Sequence, residues 1–257
     1  MRLNIGTTVR VGLAPAMVEV TAFDWRGRAV GSSRAAPEGA VGGWKGAAAG
    51  LRAQLAGGKW KAGSAEIVLS SHFVRYCLLP AELRAGKPAE QSTYVRHVFR
   101  AEYGEAVNGW RIATDEAANG PRLACAIEAA LFEELAQICR ASGVRLRSVL
   151  PYLTVCANAG RALIRAPAGW LVVLEGNLCI AALLEAGGWQ HIARRRLAQV
   201  SGAAILDMLR EQQVLLGGAS PARHLYVSGA AREILRDTDT GGWTVEFLPA
   251  ATPAPVA

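Results

Sequence analysis

Two apolar runs meet at a short polar turn near the middle of the chain, and the N-terminus repeats the plan. Trp170-Leu171-Val172-Val173-Leu174 leads into Glu175-Gly176-Asn177, Leu178 to Leu184 follows, and Gly187-Gly188 closes the second run. Runs of this length, bounded by Gly and Asn, predict the strands of a buried hairpin. At the N-terminus Val9 to Leu13 leads into Ala14-Pro15-Ala16-Met17, and Val18 to Phe23 follows. Asp24-Trp25-Arg26-Gly27-Arg28 closes that run. A Gly and a Trp mark the second turn in each copy, and a third short run follows, Arg28 to Gly31 and Trp189 to Arg194. One supersecondary unit therefore occurs twice, about 160 residues apart. The repeat predicts a two-lobed α/β fold around a cleft, with the two first turns as the place to look for chemistry.

The segments between the copies alternate helix and strand. Val41 to Ala56 carries Trp44, Ala47, Ala48, Leu51 and Leu55 at helical spacing, and Gly57-Gly58 stops it. Ala65 to Leu69 reads as a strand that breaks at Ser70-Ser71-His72, continues from Phe73 to Leu79 and closes at Pro80. Gln91 to Tyr103 reads as a helix. Trp110 to Thr114 and Arg122 to Ile127 read as a hairpin around Asn119-Gly120-Pro121, although Leu123 to Ile127 also fits a backward extension of the next helix. That helix runs from about Ala129 to Ser142, with Leu131, Leu135 and Ile138 on one face and Gly143 at its end. Val144 to Leu150 is then a strand, completing a parallel crossover unit. After the second copy come a helix from Leu197 to Leu216, a strand from His224 to Ser228 and a last strand from Trp243 to Phe247. Lobe I is placed at 1–162, lobe II at 163–249 and a Pro/Ala-rich disordered tail at 250–257.

Composition narrows the function. Of 257 residues 51% are apolar, enough for a substantial core, and no apolar run reaches the ~20 residues that span a bilayer. Met1 to Thr8 lacks an apolar stretch of the signal-peptide kind, which predicts a cytoplasmic protein. Five scattered Cys without Cys-x-x-Cys spacing read as buried reduced thiols, with no metal site. The net charge of +7 suits an anionic membrane surface or an acidic partner. Nucleic acid is not expected, because the one tight basic cluster, Arg194-Arg195-Arg196, has no accompanying finger or RNP pattern.

No Walker A, Rossmann, His-Glu-x-x-His or nucleophile-elbow pattern occurs. Ser70-Ser71-His72 reads as a turn, since adjacent strand residues face opposite ways. Cys77 with His72 lacks a group to orient the base. His97 and His191 lie among arginines, and Trp25 and Trp189 read as structural anchors of their turns. A glycine turn between buried strands can aim N–H groups at phosphate, but ATP cleavage also needs a carboxylate there. The first turn has none, and Pro15 has no N–H. Glu175 is the single acid in either turn; the plainer reading makes it an ordinary hairpin residue.

The repeat, with a late strand ending in Ser228-Gly229-Ala230, resembles the actin-like (ribonuclease H-like) ATPase fold. Within it the chain is most similar to the cytoplasmic assembly proteins of type IV pili and type II secretion systems, of the PilM and GspL kind. Val68 to Pro80, Ser142 to Pro151 and the Trp170–Gly188 hairpin carry the likeness, which covers nearly the whole chain. ATP-binding members have Asp-x-Gly turns at both phosphate sites and Gly-Gly in the adenosine loop. Here the matching residues are Ala14 and Pro15, then Glu175, Gly176 and Asn177, then Ser228 and Gly229. The resemblance therefore implies a degenerate nucleotide cleft, no catalytic residue and no ATP or Mg cofactor. It implies a scaffold at the inner-membrane face, with the cytoplasmic segment of a PilN-like membrane protein and a hexameric secretion ATPase as partners. An extended peptide is expected near Phe73, Arg75 and Leu79. The alternatives are a nucleotide-dependent switch using Glu175 and a sugar-kinase-like enzyme using Asp115 or Asp207.

Overall fold

A computed structural model describes residues 7–37, 43–56, 60, 63–115, 120–217 and 222–249. It divides into two compact units. The first comprises the described residues of Met1–Val74 with Ile127–Val155, and the second those of Arg75–Ala126 with Cys156–Ala250. The contiguous lobes 1–162 and 163–249 follow the repeat, whereas compactness assigns the segment from Arg75 to Ala126 to the second unit. The tail expected at 250–257 and the Gly57-Gly58 stop lie outside the described residues.

The first unit is built on the sheet β3-β2-β1-β4-β8. Its strands are β1 (Thr8–Leu13), β2 (Val18–Phe23), β3 (Ala29–Ala35), β4 (Ser64–Leu69) and β8 (Arg145–Pro151). β1 runs antiparallel to β2 and parallel to β4, and β4 runs parallel to β8. Strand alternation sends Val9, Val11 and Leu13 of β1 to the interior, all without exposure. Helices α1 (Trp44–Leu55) and α3 (Ala129–Ala141) pack together. They bury Leu51 and Leu55, and Leu131, Leu135 and Ile138, respectively, as the helical spacing predicts. Gly143 ends α3 at φ +69°, the left-handed conformation that a glycine after a helix supplies.

The second unit repeats the order as β11-β10-β9-β12-β13. These are β9 (Ala168–Glu175), β10 (Leu178–Glu185), β11 (Gly188–Arg196), β12 (His224–Gly229) and β13 (Thr244–Phe247). The pairing directions repeat as well: β9–β10 antiparallel, β9–β12 and β12–β13 parallel. β9 and β10 are buried on both faces from Gly169 to Glu175 and from Leu178 to Leu184. This explains why they read as continuous apolar runs instead of alternating ones. Helix α5 (Gly202–Leu215) starts at Ser201, whose hydroxyl accepts the Ala204 N–H at 3.2 Å. It covers Trp170, Val172 and Leu174 with Ile205, Leu206 and Leu209, together with Leu235 of α6 (Ala231–Arg236).

The strand expected to continue β4 past the serines leaves that sheet altogether. Ser70-Ser71-His72 forms a tight turn, in which the Phe73 N–H donates to the Ser70 carbonyl at 3.0 Å. β5 (Arg75–Leu79) then enters a three-stranded sheet of order β5-β7-β6. Its other strands are β6 (Trp110–Thr114) and β7 (Arg122–Glu128). The ambiguous Leu123–Ile127 segment is thus strand, and α3 begins only at Ala129. Helix α2 (Pro88–Tyr103) lies on this sheet and buries Val95 and Phe99 against Cys77, Leu79 and Ala124. Pro88 begins α2 at the position where a missing N–H costs nothing. β5 also packs on β11 without joining its ladder, which is why this insertion belongs to the second unit. Helix α4 (Tyr152–Gly160) leads into the second copy of the repeat. None of the described helices is long and apolar enough to cross a membrane.

Candidate functional site

The two first turns have the same hydrogen-bonded plan but opposite chemistry. In the first unit Ala14 and Met17 face each other, with Ala14 N–H to Met17 carbonyl at 2.9 Å and the reverse bond at 3.4 Å. Pro15 and Ala16 are therefore the two turn residues. In the second unit Glu175 pairs with Leu178 across Gly176 and Asn177. Ala14 and Glu175 thus occupy matching positions, and so do Pro15 and Gly176. Both strand-end positions are buried: Ala14 is 0% and Glu175 2% exposed. Gly176 adopts φ +59°, as the first residue of a primed hairpin turn requires, while the proline ring holds φ near −65° and forces a different turn.

Each turn is anchored alike by the strand beside it. The Ser70 N–H donates to the Leu13 carbonyl at 2.9 Å, and the Ala230 N–H donates to the Leu174 carbonyl at 3.2 Å. In the second unit this brings Ser228 and Gly229, at the end of β12, next to Val173 and Leu174 and so to the Glu175 turn. Gly229 has φ +68°, and the Ser228 hydroxyl is buried with no partner among the described residues. Five of the seven expected cleft residues are therefore gathered at one end of one sheet. Ala14 and Pro15 sit at the corresponding end of the other.

An ATP and Mg site of the actin-like kind can be tested on these atoms. The first turn does not fit it: a methyl group stands where Glu175 stands in the second copy, and Pro15 offers no donor. The second turn carries a carboxylate and a turn N–H that suit a metal-bound phosphate. Among the described residues no three His, Cys, Asp or Glu side chains are grouped to hold a metal.

The other candidates resolve into structural roles. One Asp115 carboxylate oxygen accepts the Leu123 N–H at 3.1 Å, and the other accepts the Trp189 indole N–H at 3.0 Å, tying β7 to β11. Asp207 pairs with exposed Arg210 at 2.6 Å. His191 bonds Gln212 at 2.9 Å. Burial, with Glu102 adding repulsion, pushes the Cys77 thiol up to about 12, and burial pushes Cys139 up to about 11. Both are held as unreactive thiols at neutral pH. Trp25 does not anchor a core: it is 66% exposed, with the Arg26 guanidinium over its ring. The Arg194–Arg196 cluster is split by strand alternation, Arg195 turning to Glu211 of α5 at 2.5 Å.

Of the expected partner contacts, Phe73 and Arg75 are half-buried and Leu79 is fully buried. Leu79 belongs to the core under α2 and presents nothing to a partner. The sequence reading missed the concave surface beside β5. A cavity of about 420 Å³ opens between β5 and β11, lined by Tyr76, Leu78, Tyr103, Gln190, Ile192 and Arg194. The signal was present in β11, whose Gln190, Ile192 and Arg194 alternate on the face away from α5, but only the insertion brings β5 to it.

No protein-family model matches the sequence, and neither does any curated protein. Solved structures do. A Bacteroides thetaiotaomicron protein of actin-like ATPase fold and unknown function aligns at TM-score 0.66 and 8% identity, over 96% of this chain and 91% of that one. The PilM–PilN type IV pilus biogenesis complex aligns at 0.63 and 13%, over 95% and 88%. The cytoplasmic domain of EpsL, an inner-membrane component of the Vibrio cholerae type II secretion system, aligns at 0.55 and 12%, over 95% and 89%. Taken with the repeated five-stranded order, these likenesses show that the chain has the actin-like ATPase fold.

Proposed function

We propose that this protein is a non-catalytic scaffold on the cytoplasmic face of an inner membrane, within a type IV pilus or type II secretion assembly platform. Its partners in this reading are a short cytoplasmic segment of a PilN-like membrane protein and the secretion ATPase. The first turn carries the argument. A fold shared with ATPases here has a buried methyl and a proline at a phosphate-side turn, so one of the two electrostatic clamps that phosphoryl transfer needs is missing. The structural likeness to EpsL and to a PilM–PilN complex supports the machine, and the net charge of +7 suits an anionic membrane surface. The cavity beside β5 supports a peptide site, and Arg75 is the first residue of the strand that borders it.

The test is direct binding of a synthetic peptide from the N-terminus of the membrane protein encoded next to this chain. Micromolar affinity, weakened by Arg75→Ala, is expected; no binding overturns the reading. The second reading, a nucleotide switch, rests on the buried Glu175 beside Gly176. It requires that Mg-ATP at millimolar concentration raise the unfolding temperature and that Glu175→Gln abolish the rise. The scaffold reading expects no rise in either protein.

A further inference from the structure

The inserted sheet carries a second concave site that the scaffold reading does not use. A cavity of about 290 Å³ lies against α2, lined by Gln91, Ser92, Val95 and Arg96 of the helix, Ile112 of β6 and Arg122 of β7. No carboxylate is among its described lining residues. Arg96 and Arg122 are both half-buried, and among the described residues neither joins an ion pair. Arg96 donates to the Val107 carbonyl at 3.2 Å, which ties its side chain to the turn that follows α2. Arg122 is the more telling group. Its Nε is buried and has no hydrogen-bond partner among the described residues.

A guanidinium always carries its charge, and a buried donor left unmet costs free energy that a fold does not normally keep without a use. Hydrophobic packing of the arginine stem does not explain it, because a methionine would fill the same volume without the unmet donor. Arg96 and Arg122 line one small cavity and, with Ser92 at its rim, supply donors for a single oxyanion, the Gln91 amide being taken by the Gly86 carbonyl at 2.8 Å. A fork of this kind binds phosphate or carboxylate through paired N–H bonds. Val95 and Ile112 supply an apolar wall, so the site suits an oxyanion borne on a short apolar stem.

We infer that the cavity between α2, β6 and β7 is an oxyanion-binding site in which Arg122 and Arg96 hold a phosphate or carboxylate group. The proposal is independent of the scaffold reading, and its failure leaves that reading untouched.

The test uses the full chain with two probes, inorganic phosphate and N-acetyl-glutamate amide, in chloride buffer at constant ionic strength. Calorimetric titration and thermal unfolding are read for the natural protein, Arg122→Met, Arg96→Gln and an Arg236→Gln control on α6. Binding of one or both probes is expected, at least tenfold weaker in Arg122→Met and Arg96→Gln and unchanged in the control. Binding of phosphate alone assigns a phosphate ligand; binding of the glutamate probe assigns an acidic side chain. Without either probe, Arg122→Met should unfold at the same temperature as the natural protein or higher, because it removes the unmet donor. The proposal is overturned if neither probe binds, if all four proteins respond alike, or if Arg122→Met is less stable without any anion present.

Discussion

The two copies of the repeated unit share strand order, pairing direction and the backbone bond that anchors each first turn, yet differ in the residues of that turn, at the strand starts and along the outer edge. β1 and β9 match: Leu13 corresponds to Leu174, Ala14 to Glu175, and Thr8, opposite Ser64, to Gly169, opposite His224. The difference teaches that the fold needs only buried strands and a two-residue turn at these places. The chemistry of the turn is free to drift in one copy while the other keeps a buried acid. The outer edges differ as well. β11 is packed by β5 of the insertion, whereas β3 is exposed along most of its length.

The largest expected effect comes from exchanging the matched residues at the strand starts. A Cβ on Gly169 would lie 2.6 Å from the Tyr226 ring. That ring cannot easily retreat, because its hydroxyl accepts the N–H groups of Arg165 and Ala166 at 3.2 and 2.9 Å. Gly169→Thr should therefore destabilise the protein by about 3 kcal/mol, read as a fall in the urea midpoint. The reciprocal Thr8→Gly should cost only about 1 kcal/mol, since it loses strand preference and the contact of its hydroxyl with Ser64 at 3.2 Å. Equal losses would show that the two strand starts are interchangeable and the comparison empty.

Next come the turns. Gly176→Pro forces φ from +59° to near −65° and should cost about 2 kcal/mol through loss of the primed turn. Pro15→Gly keeps every bond of its turn and should cost about 0.5–1 kcal/mol, mostly by loosening the unfolded chain. If proline is tolerated at 176, the two turns are equivalent and their different residues carry no structural meaning.

Much of this was legible in the sequence, because periodicity reports burial. The all-apolar runs of β9 and β10 marked central strands, Leu131, Leu135 and Ile138 marked the buried face of α3, and Gly143 marked its end. What was not legible depends on which sheet a strand joins. Phe73 to Leu79 has the composition of a strand wherever it goes, and nothing local says that the serine turn sends it away from β4 to pair with β7. Leu79 therefore looked available to a partner, although the insertion buries it under α2. Arg122 carried no pattern at all; that its Nε is buried without a partner among the described residues is a property of the folded chain alone. The candidate turns were found from their position in the repeat, but that Glu175 is buried could be read only in three dimensions.

The smallest effect concerns the arginines on the two outer strands. Arg34 of β3 bonds Glu19 of β2 at 3.0 Å, and Glu19 is 6% exposed. Arg195 of β11 bonds Glu211 of α5 at 2.5 Å, where both side chains reach solvent. Arg34→Ala strands a buried carboxylate and should cost about 1–2 kcal/mol, whereas Arg195→Ala leaves Glu211 hydrated and should not move the urea midpoint measurably. The pH dependence follows the same division. The Arg195 hydrogen bond holds the Glu211 carboxyl below its ordinary range, so its small contribution is present above the unfolded carboxylate pKa and is lost as pH falls through the lower folded value. Comparing natural protein with Arg195→Ala at neutral pH and again in acid, at low and high salt, should show a difference that is marginal at neutral pH, shrinks in acid and vanishes in salt. A loss for Arg195→Ala as large as that for Arg34→Ala would mean that α5, lying over this face of β11, removes water from the Arg195–Glu211 pair. The two edges would then differ in cover but not in electrostatics.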